Sequence, residues 1–152
     1  MTNHQREGSK SNAHVGKAFE LLAKGFFEKK GMTLEENFPL EIGLPKAKKK
    51  PHRFDLGDRV QKVIIECKSH TWTKGGNVPS AKMTTLNQAM YLFLLAPKSY
   101  RKILFVSKRM NPMGDTSLAE YYARVNRHLI PGDVEIWELD ELNGKGNRVE
   151  VR

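Results

Sequence analysis

The sequence predicts an α/β fold in which a mixed central β-sheet is flanked by helices. Apolar residues recur at helical spacing in three separate segments, and short β-branched or aromatic runs bounded by turn residues lie between those segments. The predicted order is a helix, three strands, a helix, a strand, a helix and a strand. Adjacent strands followed by strand–helix alternation are typical of a mixed sheet that helices cover on its faces.

The first helix is predicted over Ala13–Lys30, where Val15, Phe19, Leu22 and Phe26 form an apolar stripe that ends before Gly31. Residues 1–12 are polar and contain Gly and Ser, so we expect a disordered tail there. Residues 13–152 are long enough for a single domain with one core and too short for two.

Strand patterns follow the first helix. A loosely alternating run over Met32–Leu44, bent at Pro39, is followed by a predicted hairpin. The remaining predicted elements are hairpin strands at Arg53–Leu56 and Lys62–Lys68, a helix from Pro79 or Ser80 to Ala96, a strand at Arg101–Ser107, a helix at Leu118–Leu129, a strand at Val134–Leu139 and at most a short C-terminal strand.

The composition favours a soluble, cytoplasmic protein. Cys67 is the single cysteine, so no internal disulfide can form and a reducing compartment is the simplest expectation. The N-terminal segment lacks the apolar region of a secretory signal. The longest apolar run, Ala89–Ala96, is far shorter than the roughly 20 residues that cross a bilayer, so we expect no membrane partner.

Positive charge is concentrated in the middle of the chain. The net charge is +9, and residues 44–109 hold fifteen Lys or Arg and three Asp or Glu. Such a concentration favours a polyanion such as nucleic acid as the partner, with a merely solubilising surface as the alternative.

Two loops in this basic region have two interpretations each. The segment Pro45–Pro51 carries Lys46, Lys48, Lys49 and Lys50, and it is either a solvated loop or, as we favour, an arm that contacts phosphates. In the loop Ser69–Pro79, Trp72 is either a core anchor or a side chain that stacks on a base or wedges a duplex.

The hairpin carries the residues with the clearest chemical meaning. Glu66 and Lys68 follow the apolar run Val63–Ile65, and two residues apart on a strand they point to one face. Ions that enter an apolar layer cost several kcal/mol, on the order of the penalty for buried ions, unless they are paired or bound to metal. Asp55 on the preceding strand adds a second carboxylate, so the pattern suggests a divalent metal held by oxygen ligands.

Asp55, ten intervening residues and Glu66-Cys67-Lys68 form a pattern that resembles the PD-(D/E)XK nuclease superfamily. The usual proline is absent, since His52-Arg53-Phe54 precedes Asp55. The segments GKAFE (16–20) and IECKS (65–69) resemble archaeal-type Holliday-junction resolvases, and Gln88 with Tyr91 resembles an element of RecB-type nucleases. The resemblance covers about residues 15–107 and implies a restriction-endonuclease-like αβββαβ core with an extra C-terminal helix and strand.

The resemblance implies a magnesium-dependent DNA endonuclease, with Mn²⁺ expected to substitute for Mg²⁺. Asp55, Glu66, the Cys67 carbonyl and, directly or through water, Glu20 are the expected metal ligands. Lys68 would orient or deprotonate the attacking water or stabilise developing charge, and Gln88 would position water or substrate. The expected nucleic-acid-binding residues are Lys46, Lys48, Lys49, Lys50, Arg53, His70, Trp72, Lys74 and Lys82.

Several functions stay open at this point. A structure-selective, resolvase-like nuclease suits the short chain, and its expected substrate is double-stranded or branched DNA. A sequence-specific restriction or homing endonuclease is one alternative, and a catalytically inactive nucleic-acid-binding protein of the same fold is another. A further alternative is that Glu66 and Lys68 form an edge-strand ion pair on a basic ribosome-associated or RNA-binding protein and have no catalytic role. Cutting two strands with one metal site per chain would require a homodimer.

Overall fold

A six-stranded sheet with three α-helices forms the architecture, which confirms the predicted α/β class and mixed sheet. The structure is a computed structural model that describes residues 2–151, with side chains described from residue 13 onward. The elements are α1 (Thr2–Glu28), β1 (Glu35–Ile42), β2 (Lys50–Asp58), β3 (Val63–Lys68), α2 (Ser80–Leu95), β4 (Arg101–Ser107), α3 (Leu118–Val125), a 3₁₀ turn (Arg127–Leu129), β5 (Val134–Leu139) and β6 (Gly146–Val149).

The strands lie in the sheet in the order in which they occur along the chain. β1, β2 and β3 are antiparallel neighbours, β3, β4 and β5 are parallel, and β6 returns antiparallel to β5. The parallel pairs require crossover connections, which α2 and α3 provide. We call the end of the sheet at which β3, β4 and β5 finish its carboxyl end, and the other its amino end. The loop between β1 and β2, with most of the lysine-rich segment, lies at the carboxyl end.

Each face of the sheet carries its own core. On one face Phe19, Ala23 and Phe27 of α1 pack against Ile65 and Phe105. On the other face α2 and α3 pack against the same strands through a larger cluster that includes Phe54, Ile64, Phe93, Leu104 and Tyr122. Alternating residues of β3 therefore enter opposite cores, because side chains on a strand alternate between faces.

The first helix begins at Thr2 instead of Ala13. Its first eleven residues fall in the segment for which the sequence predicts a disordered tail, and the side chains of residues 1–12 lie outside the described residues. Extending a helix that is already nucleated costs much less than starting one, which gives a physical reason for the earlier start.

Other boundaries differ from the predicted ones by a few residues. β1 begins at Glu35 instead of Met32, and α3 ends at Val125 with a 3₁₀ turn after it. The predicted C-terminal strand is present as β6. Within residues 2–151, none of the helices combines the length and the apolar character needed to cross a membrane.

Candidate active site

Strands β2 and β3 separate at Asp55. Their paired register ends with Leu56 opposite Ile65, although β3 stays paired with β4 as far as Lys68. Beyond that point the Cys67 amide donates a hydrogen bond to Asp55 Oδ2 at 2.8 Å. A carboxylate thus takes the place of a backbone acceptor, and the gap between the two strands is filled by polar side chains.

The backbone of β2 also departs from a regular strand at this point. In the pairing of β1 with β2, the pair that would join Asn37 to Asp55 is missing, and Asn37 has a φ of 53°. Asn tolerates this left-handed conformation better than most residues. Phe54 and Leu56 are two residues apart, yet they pack in opposite cores. The irregularity at Asp55 therefore changes which face of the sheet the side chains of β2 point to.

Glu66 is a buried carboxylate that faces this gap. Its side chain is 8% exposed, and its Oε1 lies 3.4 Å from His52 Nε2 on β2. The His52 ring also packs edge-on against Phe54, with centroids 4.6 Å apart. His52 therefore spans the opening between β2 and β3 and contacts Glu66, one of the four predicted metal ligands.

Burial and, after it, the nearby negative charge of Glu66 raise the pKa of Asp55 to about 7. The Cys67 amide and the Lys68 ammonium act in the opposite direction, while Glu20 adds to the increase. Glu66, Lys68 and Glu20 therefore all lie close enough to act on Asp55. Two carboxylates in this position repel each other when both are ionised, which favours a bound proton or a cation.

Lys68 is the last residue of β3, and His70 follows it in the next loop. Both line a small apolar pocket under α2 and α3 together with Leu86 and Val106. His70 Nε2 lies 2.9 Å from Thr85 Oγ1, which donates its own proton to the Lys82 carbonyl at 2.7 Å. Thr85 must therefore accept from His70, so Nε2 carries the proton and Nδ1 is left as an acceptor.

Burial and, after it, the positive charges of Lys82 and Lys68 lower the pKa of His70 to about 4. The imidazole is therefore neutral near pH 7. His70 can donate to Thr85 and accept through Nδ1, but it contributes no positive charge toward a phosphate. This limits its predicted role in nucleic-acid binding to hydrogen bonding.

Glu20 acts on the site through its charge, whereas the side chain of Gln88 forms no hydrogen bond with any described residue. Glu20 lies on α1, is 22% exposed, and pairs with Lys17 at 3.7 Å. Its charge acts on Asp55 from the α1 side of the sheet. Gln88 is exposed, and no described residue hydrogen-bonds to its side chain. Its predicted catalytic role has no contact to support it, because the face of α2 that packs on the sheet is formed by Met83, Leu86, Ala89, Met90 and Phe93.

Trp72 is the clearest correction among the predicted nucleic-acid-binding residues. Its side chain is 7% exposed, its Nε1 donates to the Arg109 carbonyl at 2.9 Å, and its ring packs edge-on against Tyr121. A buried indole with a satisfied N–H is a core anchor. The stacking or wedging role predicted for Trp72 is therefore wrong, and the residue instead fixes the loop that follows Lys68.

The predicted basic contacts are exposed, but some are already engaged. Lys49 Nζ donates to the carbonyls of Gly43 and Leu44 at 2.9 and 3.3 Å, and Arg53 Nη1 donates to the Asn37 carbonyl at 3.0 Å. Lys49 thus bonds within the loop between β1 and β2, and Arg53 links β2 to β1. Among the predicted contacts, the side chains of Lys46, Lys48, Lys50, Lys74 and Lys82 are exposed and form no hydrogen bond or ion pair with any described residue.

The donor set of the site suits a hard divalent cation. Among the described side chains, no group of three or more His, Cys, Asp or Glu is arranged to hold a metal ion. Asp55 and Glu66 nevertheless supply two carboxylates, and Asp55 uses only Oδ2 in its bond to the Cys67 amide. Mg²⁺ is commonly held by one or two carboxylates with water completing its shell, so these residues fit it. Glu20 stays a predicted ligand, directly or through water.

Cys67 itself has no catalytic environment. Its side chain packs in the α1 core, and burial together with the charges of Asp55, Glu66 and Glu20 raises the pKa of its thiol. A thiol with a raised pKa is a poor nucleophile at neutral pH. The backbone carbonyl is the only group through which Cys67 is expected to take part.

Comparison with known proteins returns no match: no protein-family model, no curated protein and no solved structure is significantly similar to this chain.

Sequence reasoning missed His52 and Thr85. His52 precedes Asp55 by three residues on the same strand, so it could have been considered as a neighbour of the site. Its contact with Glu66, however, depends on the separation of β2 from β3. Thr85 lies one turn into α2, and nothing in the sequence indicates that it faces His70.

Proposed function

We propose that this protein is a metal-dependent endonuclease that hydrolyses phosphodiester bonds in DNA. The observation that carries the proposal is the pair of inward-facing carboxylates, Asp55 and Glu66, next to Lys68 where β2 and β3 separate. The order of α1, β1–β3, α2 and β4 agrees with the restriction-endonuclease-like αβββαβ core that the motif resemblance implies. In this proposal α3, β5 and β6 extend that core.

Each residue of the site has a role that its surroundings support. Asp55 and Glu66, with the Cys67 carbonyl, would hold Mg²⁺; when bound, Mg²⁺ neutralises charge on the phosphoryl oxygens and acidifies water. Glu20 would hold a water that belongs to the ion's shell. In hydrolysis a water oxygen bonds to phosphorus and one ester bond breaks, leaving a phosphate monoester and a hydroxyl. Lys68 would orient that water and stabilise the negative charge on the phosphoryl group.

His52 and His70 would act as positioning residues around this centre. His52 limits the movement of the Glu66 carboxylate, because its ring is itself fixed against Phe54. His70 lines the same pocket as the Lys68 side chain, and the hydrogen bond to Thr85 fixes its ring. A reacting group must be held within a fraction of an ångström of its productive geometry, and such neighbours supply that precision.

The substrate class follows from the surface around the site. The lysine-rich loop between β1 and β2 lies at the same end of the sheet as Lys68, and its exposed cations suit phosphate contacts that carry no sequence information. With Trp72 buried, the loop after Lys68 offers fewer side chains for reading bases. We therefore favour a structure-selective, resolvase-like enzyme over a sequence-specific restriction or homing endonuclease.

The proposal also covers the oligomeric state and the cellular compartment. Cutting both strands of a duplex with one metal site per chain requires two protomers, so we propose a homodimer. A free, buried cysteine and the lack of any disulfide partner for it agree with the reducing cytoplasm.

The experiment that tests the proposal is a cleavage panel with purified wild-type protein. The substrates are linear duplex, four-way branched and single-stranded DNA and duplex RNA, each with Mg²⁺, with Mn²⁺ and with EDTA. We expect cleavage of branched or duplex DNA with either metal and no cleavage in EDTA. A protein that binds these substrates but cuts none of them with either metal would indicate the inactive nucleic-acid-binding alternative.

A further inference from the structure

A second basic feature lies in the C-terminal third of the chain, where the sequence shows no recognisable motif. Helix α3 and strands β5 and β6 enclose an open cleft with a volume of about 720 Å³. Its basic lining residues are Lys108, Arg124, Arg127 and Arg148, and its acidic lining residues are Glu120, Glu138 and Glu150. Counting charges alone would describe this cleft as nearly neutral.

The hydrogen bonds of these residues show how the acidic side chains are held relative to the basic ones. Glu120 accepts from the Ser117 amide at 3.2 Å, and the buried Glu138 accepts from Ser117 Oγ at 2.7 Å. Glu150 is also engaged. The carboxylates of Glu120 and Glu138 are therefore fixed by neutral donors and form no ion pair with a described cation of the cleft.

Three of the cations have no acidic partner. The side chains of Lys108, Arg124 and Arg127 are exposed and form no ion pair or hydrogen bond with any described residue; Arg124 only lies over the Tyr121 ring at 5.8 Å. Arg148 differs, because it pairs with Glu135 at 3.7 Å. Arg124 and Arg127 are three residues apart, so they project to similar sides of the chain. Three unpaired cations along one cleft form an anion-binding surface.

The register of the sheet relates this cleft to the candidate active site. Lys68 lies opposite Val106, and Val106 lies opposite Glu138, so Lys68 and Glu138 are at the same level on β3 and β5. Neighbouring strands are about 4.8 Å apart, which puts these two positions about 10 Å from each other. That distance corresponds to about three base pairs along a duplex. Lys108 follows β4 at the carboxyl end, between Lys68 and the two arginines.

We propose that the cleft between α3 and β6 is a second nucleic-acid-binding site, in which Lys108, Arg124 and Arg127 hold backbone phosphates of the same DNA that reaches Lys68. This inference rests on the proposed function, since it assumes that DNA occupies the site at β3. The DNA backbone would then cross the carboxyl end of the sheet from the lysine-rich loop, past Lys68, into the cleft along α3.

The test compares two triple variants that remove equal charge. The cleft variant is Lys108→Gln with Arg124→Gln and Arg127→Gln. The control variant is Lys29→Gln with Lys62→Gln and Lys98→Gln, three exposed lysines that lie at the amino end of the sheet. Binding of a fluorescent 30-base-pair duplex is measured by anisotropy in EDTA over a series of salt concentrations, so that no cleavage occurs during the titration.

We expect the cleft variant to bind at least ~10-fold more weakly than wild type, and the slope of log K against log salt to fall by about 2–3 in magnitude, since each lost phosphate contact removes about 0.9. The control variant should lose less than ~3-fold, through the change in net charge alone. Cleft and control variants with the same affinity and slope would overturn the inference and leave the proposed nuclease function standing. If wild-type protein binds no duplex at all, this inference fails, and the cleavage panel still decides the nuclease proposal.

A conservative variant separates phosphate binding from a structural role of the arginines. Arg124→Lys with Arg127→Lys keeps both positive charges, and lysine binds phosphate as a point charge. We expect this variant to recover most of the affinity and of the salt slope. A loss as large as that of the glutamine variant, with an unchanged melting temperature, would contradict simple phosphate contacts.

Discussion

At the scale of single residues, Asp55 connects the fold to its chemistry. Its carboxylate accepts a hydrogen bond from the Cys67 amide at the point where the backbone pairing of β2 with β3 ends. A hydrogen bond from a backbone amide favours the ionised form, but burial and the charge of Glu66 outweigh it and raise the pKa of Asp55 to about 7. Without a cation, the folded protein therefore holds a proton at Asp55 more tightly than the unfolded chain does.

This residue gives a pH-dependent prediction for the metal-free protein. Because the pKa of Asp55 is raised on folding, its contribution is fully present below about pH 4, the unfolded pKa, and is lost as the pH rises to about 7. Asp55→Asn keeps an acceptor for the Cys67 amide and does not titrate. In EDTA, we expect the variant to melt about 5–10 °C above wild type at pH 8 and close to wild type at pH 4.

Asp115→Asn is the matched control, because Asp115 is exposed and its side chain forms no hydrogen bond or ion pair with any described residue. Its difference from wild type should not change with pH. Thermal unfolding followed by circular dichroism measures both variants. A constant difference between Asp55→Asn and wild type across this pH range would show that the Asp55 carboxylate is not strained by its surroundings.

At the scale of elements, the loop between β3 and α2 is held in place by contacts with the segment that follows β4. Trp72 anchors it to the Arg109 carbonyl, and Asn111 Nδ2 donates to the Gly76 carbonyl at 3.2 Å. Gly76 has a φ of 78°, and a Cβ there would lie 2.7 Å from the Met113 side chain. The chain that leaves Lys68 is thus packed against the segment that follows β4, which fixes the position of Lys68 and His70.

Trp72→Ala should therefore act through stability. Removing a buried tryptophan costs about 3–5 kcal/mol, and the loss also leaves the Arg109 carbonyl without its donor. We expect a reduced free energy of unfolding in a denaturant titration. Cleavage of branched and linear DNA, measured where the variant is still folded, should fall by the same factor for both. A selective loss on branched DNA with unchanged stability would restore the wedging role.

The elements also show what the sequence could predict. Helical and alternating patterns, which depend on local chemistry, predicted the element order, the hairpin before Lys68 and the apolar run Val63–Ile65 of β3. Trp72 could not be assigned, because a tryptophan in a glycine-containing loop has the same pattern whether it is buried or exposed. The contact of His52 with Glu66 depends on where two strands separate, and a sequence carries no local signal for that. Gln88 was chosen by resemblance, and the packing of α2 turns it outward.

At the scale of the whole molecule, the topology collects cations at the carboxyl end of the sheet. The antiparallel β1–β2 connection brings the lysine-rich loop to the end at which the parallel strands β3, β4 and β5 finish. Residues from distant parts of the chain, including Lys46, Lys74 and Lys108, therefore lie at one end with Lys68 among them. This strand order gathers the positive charge of the sequence on one surface of the protein. Such a surface supports a polyanionic substrate.

The central claim is that Asp55 and Glu66 form a hydrolytic metal site, and cleavage by matched variants tests it most directly. Asp55→Asn and Glu66→Gln are compared with Asp115→Asn and Glu28→Gln, exposed carboxylates that receive the same changes. Single-turnover cleavage of the preferred DNA is followed with Mg²⁺. Loss of a residue that only supports a metal ligand costs about 10–100-fold, so we expect loss of a ligand to cost more than ~100-fold while both controls keep the wild-type rate. Wild-type cleavage by Asp55→Asn or Glu66→Gln would contradict the account.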